Sequence, residues 1–339
     1  MTRPPLDALC RQTWLATWCL AATWLAAGWL AAGCAATGPH AARPSDLAAS
    51  THPVRPGGRA ADSAEPRPGD AAGGHRARPS PGPTAPVSVL PAIGPDPGRL
   101  GAQLSAAERT LGLGNAPSAE LARQALIVQL ACLKLTVHPG WAAAVLHAVW
   151  PAQRAAAAAD IAATADLVAI TPPRVRLPPW RIIPALDMAA LRADYLAAQA
   201  ATGVRWYYLA AVNFVETDFG RIAGPSSAGA QGPMQFLPST WASYGHGNIH
   251  RPRDAILAAA RFLLDHGATS NISTALYAYN PSWRYVDAVL RYARRLRSSA
   301  HALAGYYDHQ IIYRLGGGWV LLPAGYGTGP AIHAIRVHL

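Results

Sequence analysis

Glu216 is the residue best placed to do chemistry. It is the only glutamate after Glu120, and it closes an apolar stretch. It stands four residues after Val212 and seven after Leu209. On a helix that spacing puts its carboxylate on the buried stripe. A carboxyl group in apolar surroundings favours its protonated form and can act as an acid near neutral pH. Asp218, two residues on, points to the opposite side of any continuing helix, so it is a poor second member of a two-carboxylate site. The same spacing equally suits a structural glutamate held by backbone donors.

Other chemistries find less support. Cys10, Cys19, Cys34 and Cys132 have no metal-site spacing, and Cys132 lies in an apolar helical pattern that predicts a buried small side chain. His246 and His250 could share a zinc ion only on a helix, and Gly247 between them argues against one. The loop around them lacks the carboxylates that calcium needs. No cofactor and no metal is expected. The formal charge is +11, with Lys134 the only lysine. The arginines are scattered and form no run of nucleic-acid type, so no nucleic-acid partner is expected.

The elements that must position Glu216 read as helices. Spacing predicts helices from a cap at Ser118 through Leu135, over 142–150, 153–170, 188–201 and 205–215, from Pro252 to Gly267, and over 271–279. A last helix is capped by Ser282. A glycine-rich loop follows Gly220. At the end, Ile311-Ile312-Tyr313, glycines 316–318 and Trp319 to Leu322 predict a β-hairpin.

The amino terminus reads as an address. Residues 13–32 carry no charge and hold several Trp and Leu, which suits an export signal or an anchor. The stretch closes on Leu30-Ala31-Ala32-Gly33-Cys34, which resembles a lipobox with Cys34 as the candidate lipid-attachment residue. Lipidation, an uncleaved anchor and simple secretion all stay open, and all put the body outside the cytoplasm, in the cell envelope. An Ala/Pro/Gly-rich tether over 35–100 is expected to be disordered. The expected units are thus 1–34 (signal or anchor), 35–100 (tether), 101–180 (helical, role unassigned), 181–300 (catalytic) and 301–339 (hairpin extension).

Three blocks in order carry a resemblance. They are Glu216-Thr217-Asp218-Phe219-Gly220-Arg221, then Gly229-Ala230-Gln231-Gly232-Pro233-Met234-Gln235, then Ala278-Tyr279-Asn280. Together they resemble the soluble-lytic-transglycosylase family of lysozyme-like proteins, in the variant of secreted actinobacterial-type enzymes, over about residues 183 to 297. The resemblance implies a mainly α fold of goose-type lysozyme/lytic transglycosylase kind. It also implies cleavage of peptidoglycan glycan strands between N-acetylmuramic acid and N-acetylglucosamine, with a 1,6-anhydro product. Glu216 would be the only catalytic acid/base. Ser226, Met234, Gln235, Tyr279 and Asn280 would line the cleft, with Ser226 and Gln235 bonding the substrate and Met234 as apolar wall. Tyr279 would orient the N-acetyl group or Glu216 through its hydroxyl. Thr217 stands where serine is commoner and keeps the hydroxyl. The alternatives are a hydrolase on the same fold and a non-catalytic wall-binding protein.

Overall fold

The computed structural model describes residues 90–329 and 332–339. The export signal, Cys34 and most of the tether therefore lie outside the described residues. The first helix, α1 (Pro97–Leu113), begins at an Asp96 cap whose Oδ1 accepts from Arg99 N at 2.9 Å, so the boundary expected at residue 100 falls inside a helix. α2 (Ser118–Val137) follows. Ser118 is its first helical residue and Pro117 occupies the cap position, so the expected serine cap is not made. A 3₁₀ turn (Pro139–Trp141) leads into α3 (Ala142–Ala148), and α4 (Pro151–Ala169) follows. The helix expected over 142–150 thus stops two residues short, because proline at 151 forces the residue before it out of the helical region.

β1 (Arg181–Ile182) pairs antiparallel with β2 (Ile222–Ala223), a two-residue ladder with no sequence signal. Between them lie α5 (Met188–Thr202), which ends at left-handed Gly203, and α6 (Trp206–Thr217), which carries Glu216. α7 (Pro238–Tyr244), α8 (Pro252–Asp265), α9 (Ile272–Tyr279) and α10 (Trp283–Ser298) come next, and α11 (Ala302–Tyr307) closes the helical part. Asn271 and Ser282 cap α9 and α10 through their side chains. The expected hairpin is present as β3 (Ile311–Leu315) and β4 (Gly318–Leu322), and β5 (Ile335–Val337) adds a third antiparallel strand. The fold is therefore mainly helical with a small carboxyl-terminal sheet, as the sequence pattern predicts.

One apolar core gathers α5, α6, α8, α9, α10 and α11, with Leu209, Val212, Ile256, Leu263 and Val289 fully buried. A second joins α1 to α4 around Leu100, Leu104 and Val145. A third packs Leu126 and Leu130 of α2 under the sheet residues Ile312, Trp319 and Leu321. Residues 101–180 are thus a buttress: α4 lies along α10, and α2 carries the sheet. Among the described residues no single helix is long and apolar enough to cross a membrane.

A buried ionic cluster joins the buttress to the rest. The Nη2 of Arg295 (α10) donates to Glu108 Oε2 of α1 at 2.9 Å and to Asp160 Oδ2 of α4 at 3.3 Å. Tyr306 (α11) donates to Asp160 Oδ1 at 2.5 Å. Glu108 and Asp160 are both nearly sealed from solvent. Burial raises the pKa of each, and the Asp160 charge raises Glu108 further. Cys132 lies in the same region, buried, its thiol held protonated by the loss of solvent.

Candidate active site

Glu216 sits in the last turn of α6 and exposes no surface. Its Oε1 accepts a 2.7 Å hydrogen bond from the hydroxyl of Tyr285, in the first turn of α10. Its Oε2 has no hydrogen-bond partner among the described residues. Burial pushes the carboxyl up from the ordinary 4.5 to about 8, and the Tyr285 hydroxyl opposes that shift only in part. At neutral pH Glu216 therefore holds its proton.

The chain turns sharply after Glu216. Asp218, Phe219 and Gly220 are all left-handed, with φ of 53°, 62° and 83°. Two non-glycine residues in that region cost energy, which the tertiary contacts around them offset. Asp218 N and Phe219 N close the helix on the carbonyls of Phe214 and Asn213. The Asp218 carboxylate pairs with Arg221 at 2.7 Å, and Arg221 also donates to Tyr307 O at 3.0 Å. Asp218 faces a cavity lined by Phe214, Val215, Tyr292 and His309, of which Glu216 is no part. The two carboxylates thus serve different sides of the helix.

A buried polar network holds the following loop against α6. Asn213 Nδ2 donates to Pro233 O at 2.8 Å, and Thr217 Oγ1 donates to the same carbonyl at 2.5 Å. Gly220 N donates to Thr217 Oγ1 at 3.0 Å, and Tyr195 Oη donates to Asn213 Oδ1 at 2.6 Å. The Thr217 hydroxyl therefore fixes loop to helix. Gly232 has φ of 75°, and a Cβ there would lie 2.0 Å from Ile249 O, so only glycine fits. The turn then folds back through paired bonds between Gln231 and Phe236.

The expected cleft residues come together around this loop. Gln235 is almost fully buried at φ of 49°, in the left-handed region. Its Nε2 donates to Gly232 O at 2.9 Å, while its Oε1 has no hydrogen-bond partner among the described residues. Asn280 is fully buried and caps the end of α9. Ser226 Oγ accepts from Ala228 N at 3.2 Å and Ala230 N at 3.1 Å, so it shapes its own loop. Met234 is fully buried in the main core and presents no wall to solvent. Tyr279 donates to Met234 O at 2.6 Å. The hydroxyl that meets Glu216 is Tyr285's, not Tyr279's. Tyr285 lies inside the stretch of about residues 183 to 297 that resembles the family, but outside its three blocks. Its contact spans 69 positions, which no local pattern reveals. Phe236 lies edge-on to both Trp241 and Tyr279, and Tyr244 donates to Asp265 Oδ2 at 2.6 Å. His246 and His250 lie in a loop, and among the described residues no group of three or more His, Cys, Asp or Glu side chains is arranged for a metal.

A helix ending in one sealed carboxyl, a loop tied to that helix through its last turn, and an Ala-Tyr-Asn helix end beside them make one constellation. The family described as "Transglycosylase SLT domain" matches residues 195–301, the stretch that holds it. Those residues are similar to an SLT domain. The match runs from α5 to just past α10, 107 of the 339 residues, and it contains Glu216, the loop, Tyr279 and Tyr285. It supports a lytic transglycosylase of the lysozyme-like superfamily, acting on peptidoglycan. No curated protein and no solved structure matches the chain. The SLT match begins after α1–α4 and ends before the β3–β5 sheet, so the buttress and the sheet are additions to the domain.

Proposed function

We propose that the protein cleaves the β-1,4 bond between N-acetylmuramic acid and N-acetylglucosamine in peptidoglycan, with Glu216 as acid and then base, and leaves a 1,6-anhydro end. The observation that carries this reading is the state of Glu216: one carboxyl, sealed, protonated at neutral pH, and touched by a neutral hydroxyl instead of a second carboxylate. A site with one acid and no nucleophile suits a reaction in which the substrate supplies the nucleophile. Glu216 gives its proton to the glycosidic oxygen as the C1–O bond breaks. The muramic N-acetyl group shares the positive charge at C1. The C6 hydroxyl of the same sugar then forms the new C1–O bond and returns its proton to Glu216. Bonds and protons balance, and no water is consumed. The unpartnered Glu216 Oε2 would give its proton to the glycosidic oxygen, and the unpartnered Gln235 Oε1 would accept from a substrate donor. Because Glu216 exposes no surface, the glycan reaches it only after the covering residues move aside.

In the same proposal the catalytic body works outside the cytoplasm, in the cell envelope. The apolar stretch at 13–32 holds it at a membrane or directs its export, Cys34 is the candidate lipid-attachment residue beside an uncleaved anchor or simple secretion, and nucleic acid is not a partner. Digestion of purified peptidoglycan followed by mass spectrometry tests the reaction. Fragments ending in 1,6-anhydro-muramic acid are expected. Fragments heavier by one water would assign the site to hydrolysis, and no soluble fragment would assign the protein to wall binding.

A further inference from the structure

Four arginines far apart in the sequence meet at the end of α6 remote from Glu216. Arg192 lies on α5, Arg205 directly precedes α6, and Arg294 and Arg297 lie in the last turns of α10. The Arg192 guanidinium stands 4.4 Å from the ring centroid of Trp206. Tyr207 continues the aromatic row, 6.0 Å from Trp206 and 4.6 Å from Tyr208 between centroids. Tyr208 in turn lies in the field of Arg297 and Arg294, which oppose the rise that burial causes in its pKa. All four arginines are exposed. Among the described residues none of the four forms an ion pair within 4.0 Å, whereas Arg99, Arg123, Arg221, Arg284, Arg291 and Arg295 all do. The α5 carboxylate nearest in sequence, Asp194, interacts with Arg253 and Asp254 of α8 instead. Like charges gathered without a counter-ion repel, and an anionic partner removes that cost.

We propose that this arginine-rich end of α5, α6 and α10 is a docking surface for the phosphate-bearing polymer chains attached to bacterial cell walls. The proposal rests on the reading that the protein acts on peptidoglycan, since such polymers are carried by that substrate. Charge complementarity selects the partner. Guanidinium groups grip phosphate oxygens in pairs, and Trp206 holds Arg192 in place by its ring face, so less freedom is lost on binding. The rings are half-buried and offer no wedge for a lipid surface, and the Trp206 face that a nucleobase would stack on is occupied by Arg192. Trp206 and Glu216 are ten residues apart on one helix, about 15 Å along its axis. A wall polymer held at one end of α6 would keep the catalytic end near its glycan.

The test is co-sedimentation of the full chain carrying Glu216→Gln with insoluble wall sacculi that retain poly(glycerol phosphate), and with sacculi stripped of it. Retention is expected to be about tenfold stronger on the phosphate-bearing sacculi at low salt, with the difference fading between about 50 and 300 mM NaCl. Adding Arg294→Gln and Arg297→Gln should abolish that difference while the near-ultraviolet circular dichroism stays unchanged. Equal retention on both kinds of sacculi, or a difference that survives the arginine changes, would overturn the proposal. So would phosphatidylglycerol vesicles or duplex DNA captured with the same dependence on Arg294 and Arg297. Release of anhydro fragments by the Glu216 protein is read separately. Cleavage without polymer-dependent retention removes only the docking surface, and retention without cleavage removes only the proposed reaction.

Discussion

Glu216 and Glu108 are both buried carboxyls, and their surroundings are built in opposite ways. Glu216 has a single neutral partner, the Tyr285 hydroxyl, and one oxygen with no partner among the described residues. Glu108 shares Arg295 with Asp160, and the cluster they form with Tyr306 ties together α1, α4, α10 and α11. Burial raises the pKa of both glutamates. A perturbed carboxyl therefore does not by itself identify the reacting group. What separates the two is the counter-charge. Around Glu108 an arginine and a second carboxylate fix the geometry, so a change there is a change in folding. Around Glu216 no counter-ion among the described residues constrains the proton, so in the proposed reaction a change there is a change in chemistry.

The sharpest test of the comparison is Glu216→Gln. Release of soluble muropeptides should fall by about 10³-fold or more, while the fold remains. The stability of this variant should also respond differently to pH. Below about 4.5 both folded and unfolded chains hold the Glu216 proton; between about 4.5 and about 8 only the folded chain holds it. Glu216 thus makes the wild type lose about 1.4 kcal/mol of stability per pH unit as pH rises through that window, and the glutamine variant should be free of that share. Urea titrations at several pH values measure it; parallel slopes for both proteins would show that the Glu216 carboxyl is not sealed.

Arg295→Met attacks the other centre. It leaves Glu108 and Asp160 buried without their cation and should cost about 3–5 kcal/mol, more at pH 8 than at pH 5, where Glu108 takes up a proton. Activity should follow the folded fraction alone. Denaturation curves with unchanged midpoints would mean the cluster does not hold the buttress to α10. The smallest effect belongs to Tyr285→Phe. Losing this hydrogen bond should cost about 1 kcal/mol, lower turnover about tenfold and move the alkaline limb of the pH–rate profile upward, because the hydroxyl lowers the pKa of Glu216. An unmoved alkaline limb would show that Tyr285 only fills space.

The comparison also separates what the sequence reveals from what it hides. Glu216 was legible because Leu209, Val212 and Glu216 obey one helical spacing, and the loop was legible because its glycines mark turns. The cap at Ser282 was legible because its partner lies three residues away. The purpose of residues 101–180 was not, because their partners are distant: Arg295 meets Glu108 across 187 positions, and Gln129 bonds the backbone of Gln310 across 181. Tyr285 was hidden for the same reason. Ser118 misled because a serine before an apolar run reads as a cap, yet Pro117 takes that position and no side-chain bond forms. β5 escaped notice because three residues carry too little alternation to read as a strand.

The placement of α10 also sets when the Glu216 site can assemble. Ribosomes deliver α1–α4 and their apolar cluster first, and α6 with Glu216 follows. α10 emerges later, yet it supplies Tyr285 to Glu216 and Arg295 to the buttress. A nascent chain that stops before α10 holds a glutamate without its tyrosine and a buttress without the helix it supports. Such docking across distant segments is slow compared with helix formation. Completion of the Glu216 and Arg295 contacts therefore waits for α10, and both centres form together.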